Sequence, residues 1–225
     1  MIEPGRYGES EQLEQWPRLA PDDPFDFVCA GCGDCCRNRR DLILSGYDLY
    51  RMARWMSLSP QIVAHAFCRE TVGEQTCLPT LRLKPDAKTG DCPFFEGNAC
   101  VIHPARPLAC ALYPLGQEID PRTAAVSYYW QLPRCGAAAP EHTLRDYLNH
   151  AGISERSGID VRWAVVCTQL SERLRAAGGA EHPQFAAVVR RIRKALYYDY
   201  ATRDEFYPQF QQNLAVLEPI LQRLL

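Results

Sequence analysis

The cysteines are the residues of this sequence whose type and spacing are best suited to chemistry. Four of them fall within eight residues and are interleaved with glycine: Cys29, Cys32, Cys35 and Cys36. Two residues between successive cysteines let a chain turn back, so that both sulfurs face one centre. Gly31 and Gly33 can adopt the positive φ that a tight ligand loop demands. The spacing therefore predicts a metal-binding loop.

A second group of cysteines follows in a stretch rich in proline and turn residues. Its members are Cys92, Cys100, Cys110 and, further along, Cys135. The two groups together supply eight thiols, enough for two tetrahedral sites of four sulfurs each. Soft thiolates favour zinc, cuprous copper or iron–sulfur clusters, and they disfavour calcium and magnesium. We interpret the two groups as two halves of one chelating centre, or of two adjacent centres.

The spacing also bears on which metal is bound. A structural zinc site usually takes one Cys-x2–4-Cys pair from each of two places. Here three cysteines follow each other as Cys-x2-Cys-x2-Cys and the fourth ligand comes from afar, which is typical of ferredoxins and favours a [4Fe–4S] centre over zinc. Zinc remains the alternative. Adjacent Cys35 and Cys36 are expected to point in different directions, so they serve different metals or only one of them is a ligand.

Composition limits the other classes of function. The chain has 225 residues, 11 cysteines and a formal net charge of −2, which gives no electrostatic reason to expect a nucleic-acid partner. No apolar run approaches the ~18 residues of a membrane span. The first residues lack a basic segment followed by an apolar one, so no signal peptide is predicted and the expected location is the cytoplasm. Dense cysteine in a reducing compartment, in odd number, indicates metal binding rather than disulfides.

The pattern of apolar and turn residues predicts an α+β fold that is mainly helical. Residues 1–28 are predicted to form an irregular arm, 29–136 a cysteine-rich metal-binding core with short strands and hairpins, and 137–225 a set of helices packed on that core. We expect the three parts to form a single domain, because no long flexible linker separates them.

Several local signals place individual elements. Ser45-x-x-Asp48 and Thr202-x-x-Glu205 are typical of capping boxes, and Ser59-Pro60 of a helix start. Gly97-Asn98 predicts a hairpin between Cys92 and Cys100. Apolar stripes predict helices near the C-terminus. Three cysteines lie outside the two groups and are expected to be buried thiols: Cys68, Cys77 and Cys167.

The two cysteine stretches also carry a resemblance to a known family. Cys-x-x-Cys-x-x-Cys-Cys, followed by Gly90-Asp-Cys-Pro-Phe-Phe-Glu-Gly-Asn-Ala-Cys-Val-Ile-His-Pro-Ala-Arg-Pro-Leu-Ala-Cys-Ala-Leu-Tyr-Pro114, resembles the YkgJ-type cysteine-cluster family of zinc- or iron-chelating domains. The resemblance covers about residues 27–136. It implies a chelating set made of Cys29, Cys32, Cys35, Cys36, Cys92, Cys100 and Cys110. Cys135 matches a later and looser cysteine of the family.

Two further residues of the matched stretch are candidates for contact with the cofactor. Arg106 would offset the negative charge of clustered thiolates and donate hydrogen bonds to sulfur, and the Tyr113 hydroxyl could do likewise. The alternative is that Arg106 pairs with an acidic side chain and Tyr113 fills the core.

Three functions are compatible with the sequence. The first is an iron–sulfur protein, such as an Fe–S oxidoreductase, with a role in electron transfer or a redox reaction. It would act with a redox or protein partner that the sequence does not name. The second is a zinc-stabilised structural or interaction module without catalysis. The third is an enzyme whose metal keeps an open coordination position. No catalytic residue is predicted for any of them.

Overall fold

The computed structural model describes residues 15–37, 42–131, 136 and 142–224. Within them the fold is α+β and mainly helical, as predicted, with small antiparallel sheets. Seven α-helices occur in these ranges: α1 Gly46–Trp55, α2 Pro60–Phe67, α3 Leu108–Leu112, α4 Leu144–His150, α5 Ile153–Ala176, α6 Phe185–Arg193 and α7 Phe206–Leu224. Helix α6 continues into a π-helical turn, Lys194–Tyr198.

The strands are short and pair locally in antiparallel fashion. They are β1 Arg18–Leu19, β2 Ile43–Leu44, β3 Cys68–Val72, β4 Pro79–Leu83, β5 Phe95–Glu96, β6 Ala99–Cys100, β7 Leu115–Ile119 and β8 Val126–Trp130. One sheet has the order β1-β8-β7, a second has the order β2-β4-β3, and β5 and β6 form a hairpin. The hairpin turn is at Gly97 and Asn98, both with positive φ, as the sequence predicted.

Local capping signals explain where several helices begin. The Ser45 side chain accepts a hydrogen bond from the Asp48 backbone N–H, and the Asp48 carboxylate accepts one from the Ser45 backbone N–H, which confirms the predicted capping box of α1. Ser59 caps α2 ahead of Pro60, also as predicted. The box predicted at Thr202 is wrong, because Thr202 lies in a turn and α7 begins only at Phe206.

The larger hydrophobic core joins the cysteine-rich part of the chain to the C-terminal helices. Leu44 and Leu81, from the sheet of β2, β4 and β3, are buried together with Ile192 and Phe210, from α6 and α7. Cys92, Cys100 and Cys110 pack against the edge of this core. The cysteine-bearing loops therefore rest on a surface built mainly by helices.

A second, smaller hydrophobic core holds the described part of the N-terminal arm against the rest of the protein. Phe25 and Phe27 are buried against Leu112 and Leu144, and the Phe25 ring packs edge-on to Trp130 at a centroid distance of 4.7 Å. The arm is also less irregular than predicted, because β1 adds an edge strand to β8 through the pairs Arg18 with Tyr129 and Leu19 with Tyr128. The segment that leads to Cys29 is therefore held by strand pairing and by the smaller core.

A buried ionic network connects three helices. The Arg156 guanidinium of α5 donates to Asp48 Oδ1 of α1 at 2.7 Å and to both carboxylate oxygens of Asp160 at 2.6 and 2.8 Å. Asp48 Oδ1 also accepts from the backbone N–H of Leu108, the first residue of α3, at 2.9 Å. All three charged side chains are at least 96% buried. The network therefore fixes α3, which carries Cys110, to the helices around it.

A pair of glycine substitutions tests the packing at the start of α1. A Cβ on Gly46 would lie 2.0 Å from the Leu196 carbonyl oxygen, a backbone atom that cannot rotate away. We expect Gly46→Ala to lower the free energy of unfolding by at least about 2 kcal/mol. Gly158 in α5 is exposed and has open space at its Cβ position, so Gly158→Ala should raise stability by about 0.5–1 kcal/mol. Urea denaturation measures the free energy of unfolding of both variants. Equal changes in the two variants would contradict the close packing around Gly46.

No helix of the described ranges combines the length and the apolar character that crossing a lipid bilayer requires.

Candidate metal centre

The first cysteine loop closes in a single tight turn. Asp34–Cys36 form one 3₁₀ turn, in which the Cys36 backbone N–H donates to the Gly33 carbonyl at 2.8 Å. Gly33 precedes the turn with a φ of 76°, a conformation that favours glycine. The turn leaves Cys35 and Cys36 half-buried, whereas Cys29 and Cys32 are exposed.

Three contacts dock this loop onto the β5–β6 hairpin. The Cys92 backbone N–H donates to the Cys36 carbonyl at 2.8 Å. The Phe95 ring lies on Gly33, so closely that a Cβ there would be 2.2 Å from the ring. Arg37 lies 4.8 Å from the centre of the same ring and donates to Asn98 Oδ1 at 3.2 Å. Two segments about sixty residues apart in sequence are thereby held together without a metal.

Four thiols meet where the loop and the hairpin touch. Hydrogen bonding to the thiols of Cys100, Cys35 and Cys92 raises the pKa of the Cys36 thiol. Its Sγ lies 4.0 Å from Cys35 Sγ, so the expectation that the adjacent side chains diverge is wrong for their sulfur atoms. We call Cys35, Cys36, Cys92 and Cys100 the thiol quartet.

The thiol quartet is a group of contacting thiols and not yet a closed ligand shell. Within the ranges that the structure describes, no three cysteine, histidine or acidic side chains surround one point as ion ligands. Zinc–sulfur bonds of about 2.3 Å in a tetrahedron place two sulfurs about 3.8 Å apart. The 4.0 Å between Cys35 Sγ and Cys36 Sγ is close to that value. Binding an ion in such a shell would also require loss of the thiol protons.

Two thiols of the quartet, Cys36 and Cys100, have pKa values shifted in opposite directions. Contact with Cys36 lowers the pKa of the Cys100 thiol to about 7, and the Ile102 backbone N–H and the Arg106 charge act in the same direction. The pKa of Cys36 is raised far above its ordinary value, first by its contact with Cys100 and then by Cys35 and Cys92. Cys100 is therefore more readily converted to a thiolate than Cys36.

Arg106 is the cation beside the quartet. Its Nη1 lies 2.7 Å from His103 Nε2, and its charge reaches the Cys100 thiol. Burial lowers the pKa of His103, and Arg106 lowers it further, so the imidazole is the neutral acceptor of this hydrogen bond. Arg106 thus meets a histidine, and not the acidic partner considered as the alternative, while its charge favours thiolates nearby.

The other predicted ligands, Cys29, Cys32, Cys110 and Cys135, lie outside the thiol quartet. Cys29 and Cys32 are exposed, whereas Cys35 is half-buried. Cys110 is half-buried in α3. Cys135 lies outside the described residues, although its neighbour Gly136 lies against the Phe27 ring.

Tyr147 is a site residue that the sequence did not indicate. Its hydroxyl donates to the carbonyls of Ala111 and Tyr113 at 3.1 and 2.5 Å, next to the end of α3. Burial raises the pKa of this hydroxyl well above its ordinary value, so it keeps its proton as a donor. Tyr113, predicted to contact the cofactor, is half-buried with its ring edge-on to Phe27 at 5.9 Å.

The three cysteines expected to be buried thiols lie in or against the larger core. Cys68 and Cys77 are 4% and 7% exposed, and Cys167 packs against the same core. Burial raises the pKa of Cys68 and of Cys167 to about 12. Neutral, apolar-packed thiols of this kind are unreactive, which separates them from the thiol quartet.

Alanine substitutions at Gly33 and Gly31 test whether the hairpin positions the cysteine loop. Gly33→Ala forces the Phe95 ring away. We therefore expect the free energy of unfolding to fall by about 1–2 kcal/mol and metal binding to weaken. Gly31→Ala meets the same backbone strain, at a φ of 66°, but has open space at its Cβ position. It should therefore retain the metal affinity of the unmodified protein. Equal metal affinities for the two variants would show that the Phe95 contact does not position the ligands.

Comparisons with known proteins agree with the geometry in the cysteine-rich part. No curated protein and no solved structure is significantly similar to this chain. Residues 28–136 match the CxxCxxCC family, whose description is "putative zinc- or iron-chelating domain". This range includes both cysteine groups, the hairpin and Arg106. Residues 28–136 are therefore similar to the zinc- or iron-chelating domains of the CxxCxxCC family.

Proposed function

We propose that this protein binds a thiophilic metal ion, zinc or iron, through the four sulfurs of the thiol quartet. The observation that carries the proposal is the position of Cys36: its sulfur lies 4.0 Å from that of Cys35, and hydrogen bonding to Cys100, Cys35 and Cys92 raises its pKa. Unpaired thiols seldom gather in this way, whereas four thiolates are the usual ligand set of a structural zinc site or a mononuclear iron site. Arg106 would offset part of the negative charge of the bound state.

The spacing of the quartet favours one ion over a four-iron cluster at this position. Each thiolate of a four-iron cluster binds a different iron, so the cluster itself separates the ligating sulfurs. The sulfurs of Cys35 and Cys36 are 4.0 Å apart, which suits two ligands of the same ion. When bound, such an ion ties the cysteine loop to the hairpin, and the chain's own contacts through Phe95 and Arg37 hold both segments in place for it.

A redox-active iron–sulfur centre is the second candidate, favoured by the Cys-x2-Cys-x2-Cys spacing of the first loop. Cys29 and Cys32 are exposed, and Cys35 is half-buried. Exposure of the ligands would suit exchange of electrons with a partner protein. In this arrangement Cys110 or Cys135 would supply the fourth ligand.

Metal analysis of protein purified without oxygen distinguishes the candidates. A mononuclear site predicts one zinc or iron per quartet, no acid-labile sulfide, and no broad absorption in the visible range when zinc is bound. An iron–sulfur centre predicts brown protein with iron and sulfide in equal amounts. Protein that holds no metal after such a preparation, and takes up none from added zinc or ferrous iron, would contradict both.

A further inference from the structure

We infer that the cavity between α6, the π-helical turn and α7 binds a small aliphatic carboxylate, with its charged end on Arg191 and its hydrocarbon end on α7. The residues that line this cavity belong to the C-terminal helices, outside the range that matches the CxxCxxCC family. The inference goes beyond metal binding and does not depend on it.

The cavity is small and lies between two helices. Its volume is about 90 Å³. Helix α7 contributes Asn213, Val216, Leu217 and Ile220, which follow the i, i+3, i+4, i+7 spacing of a single helix face. Since an apolar cavity of ~150 Å³ holds benzene, this one suits about four carbon-sized groups. Nucleotides and other drug-sized ligands need a larger pocket.

The π-helical turn forms the other side of the cavity. In this turn the Asp199 backbone N–H donates to the Lys194 carbonyl, five residues earlier, at 3.0 Å. The Ala195 carbonyl accepts from the Tyr200 hydroxyl at 2.7 Å and from Asn213 Nδ2 at 3.4 Å, and Asn213 Nδ2 also donates to the Asp199 carbonyl at 2.8 Å. These bonds tie the turn to α7 beside the cavity. A π-helical turn within a helix is frequent at functional sites.

The two basic residues of the cavity differ in their partners. Lys194 Nζ lies 3.2 Å from Asp199 Oδ2, so this ion pair offsets its charge. Arg191 is exposed, and within the described ranges its guanidinium forms no ion pair and no side-chain hydrogen bond. Because a guanidinium presents its N–H donors in a planar fork that matches a carboxylate, Arg191 is the group that an anion would contact.

The α7 side of the cavity is apolar and accessible to solvent. Leu217 is 2% exposed and Val216 is 64% exposed, with the half-buried Ile220 beside them. An inorganic anion bound to Arg191 would leave this apolar surface in contact with water. A carboxylate that carries a short branched hydrocarbon would cover it and gain free energy from the burial. The combination of a cation and an apolar wall therefore favours an aliphatic carboxylate over phosphate.

NMR titration of the full-length protein tests the site, with three probes followed by ¹H–¹⁵N spectra. Isobutyrate carries both the charge and the branched hydrocarbon, isobutyramide has the same shape without the charge, and inorganic phosphate has charge without hydrocarbon. We expect isobutyrate to shift the amide signals of Asn213 and Val216 saturably, with a dissociation constant of about a few millimolar. Isobutyramide and phosphate should each bind at least about tenfold more weakly.

Substitutions at exposed positions assign the binding to the cavity. Arg191→Met should weaken isobutyrate binding at least about tenfold, and Val216→Asp should abolish it by placing a carboxylate against the apolar wall. Arg190→Met is the matched control, because Arg190 is the adjacent exposed arginine of α6 and does not line the cavity. It should bind isobutyrate as the unmodified protein does. The same spectra show that each variant is folded.

Several results would overturn the inference. One is the absence of a saturable shift at Asn213 and Val216 in the unmodified protein. Equal binding of isobutyrate and isobutyramide would leave the cation without a role, and equal binding of isobutyrate and phosphate would leave the apolar wall without one. Equal losses in Arg190→Met and Arg191→Met would show a general effect of positive charge and no site at the cavity.

Discussion

Cys36→Ser is expected to weaken zinc or iron binding by more than about 100-fold. Cys36 is the thiol that contacts the other three members of the quartet, so its loss removes one ligand and the contacts that gather the rest. Loss of residues that merely support metal ligands already costs about 10–100-fold in affinity, so loss of a ligand should cost more. Competition with a chromogenic chelator measures the affinity.

The matched control for this prediction is Cys167→Ala. Cys167 is also a thiol packed against the larger core, but it lies in α5. We expect it to change stability by about 1 kcal/mol and to leave metal binding intact. If Cys36→Ser bound metal as tightly as Cys167→Ala, the quartet would not be the metal site.

Metal binding is also expected to raise the free energy of unfolding of the protein. An ion bound only by the folded state raises the free energy of unfolding according to its concentration and affinity. We therefore expect a chelator to lower the melting temperature of the unmodified protein and to have little effect on Cys36→Ser. Equal shifts in the two proteins would place the stabilising ion elsewhere.

Arg156→Met is expected to lower the free energy of unfolding by about 3–5 kcal/mol, because it leaves Asp48 and Asp160 buried without their cation. Chemical denaturation with a fluorescence readout measures the loss. Removing the second charge as well, in Arg156→Met with Asp160→Leu, should recover part of it, since an apolar replacement leaves fewer unpaired charges. Asp48 would keep the backbone donors of Ser45 and Leu108 in that variant.

Arg173→Met is the control, since Arg173 lies on the same helix and pairs with Glu218 at the surface. Surface ion pairs contribute little to stability, so we expect a change within the error of the measurement. If both arginine variants lost the same stability, the buried network would not connect the helices as described.

The sequence predicted the elements whose signals are local. The capping box at Ser45, the Ser59-Pro60 helix start and the Gly97-Asn98 hairpin each depend on side chains within a few residues of one another. Thr202-x-x-Glu205 has the same pattern as a capping box, but the chain forms a turn there. A four-residue motif alone does not specify where a helix begins.

Strand pairing could not be predicted, because it depends on partners distant in sequence. Strands β3 and β7 were not predicted, and β1 is two residues long and is defined only by its pairing with β8. The same limit applies to the ionic network, where Asp48 was recognised only as part of a capping box. Its contact with Arg156 spans 108 residues. The Arg156–Asp160 spacing of four residues on α5 was the available signal.

The cysteine pattern identified the chemistry of the site but not the way its members group. Spacing favoured the triplet Cys29, Cys32 and Cys35 as the nucleus of a cluster, whereas the thiols that act on one another's pKa include Cys36, Cys35, Cys92 and Cys100. Docking of the loop onto the hairpin through Phe95 and Arg37 decides that grouping. Spacing along the chain does not contain this information.

X-ray absorption at the zinc or iron edge, on the metal-loaded protein prepared without oxygen, tests the central claim most directly. The proposed site predicts a first shell of four sulfurs at about 2.3 Å around zinc, with no second metal atom nearby. In Cys36→Ser the number of sulfur neighbours should fall. A first shell made of nitrogen and oxygen, or one unchanged by the loss of Cys36, would contradict binding by the thiol quartet.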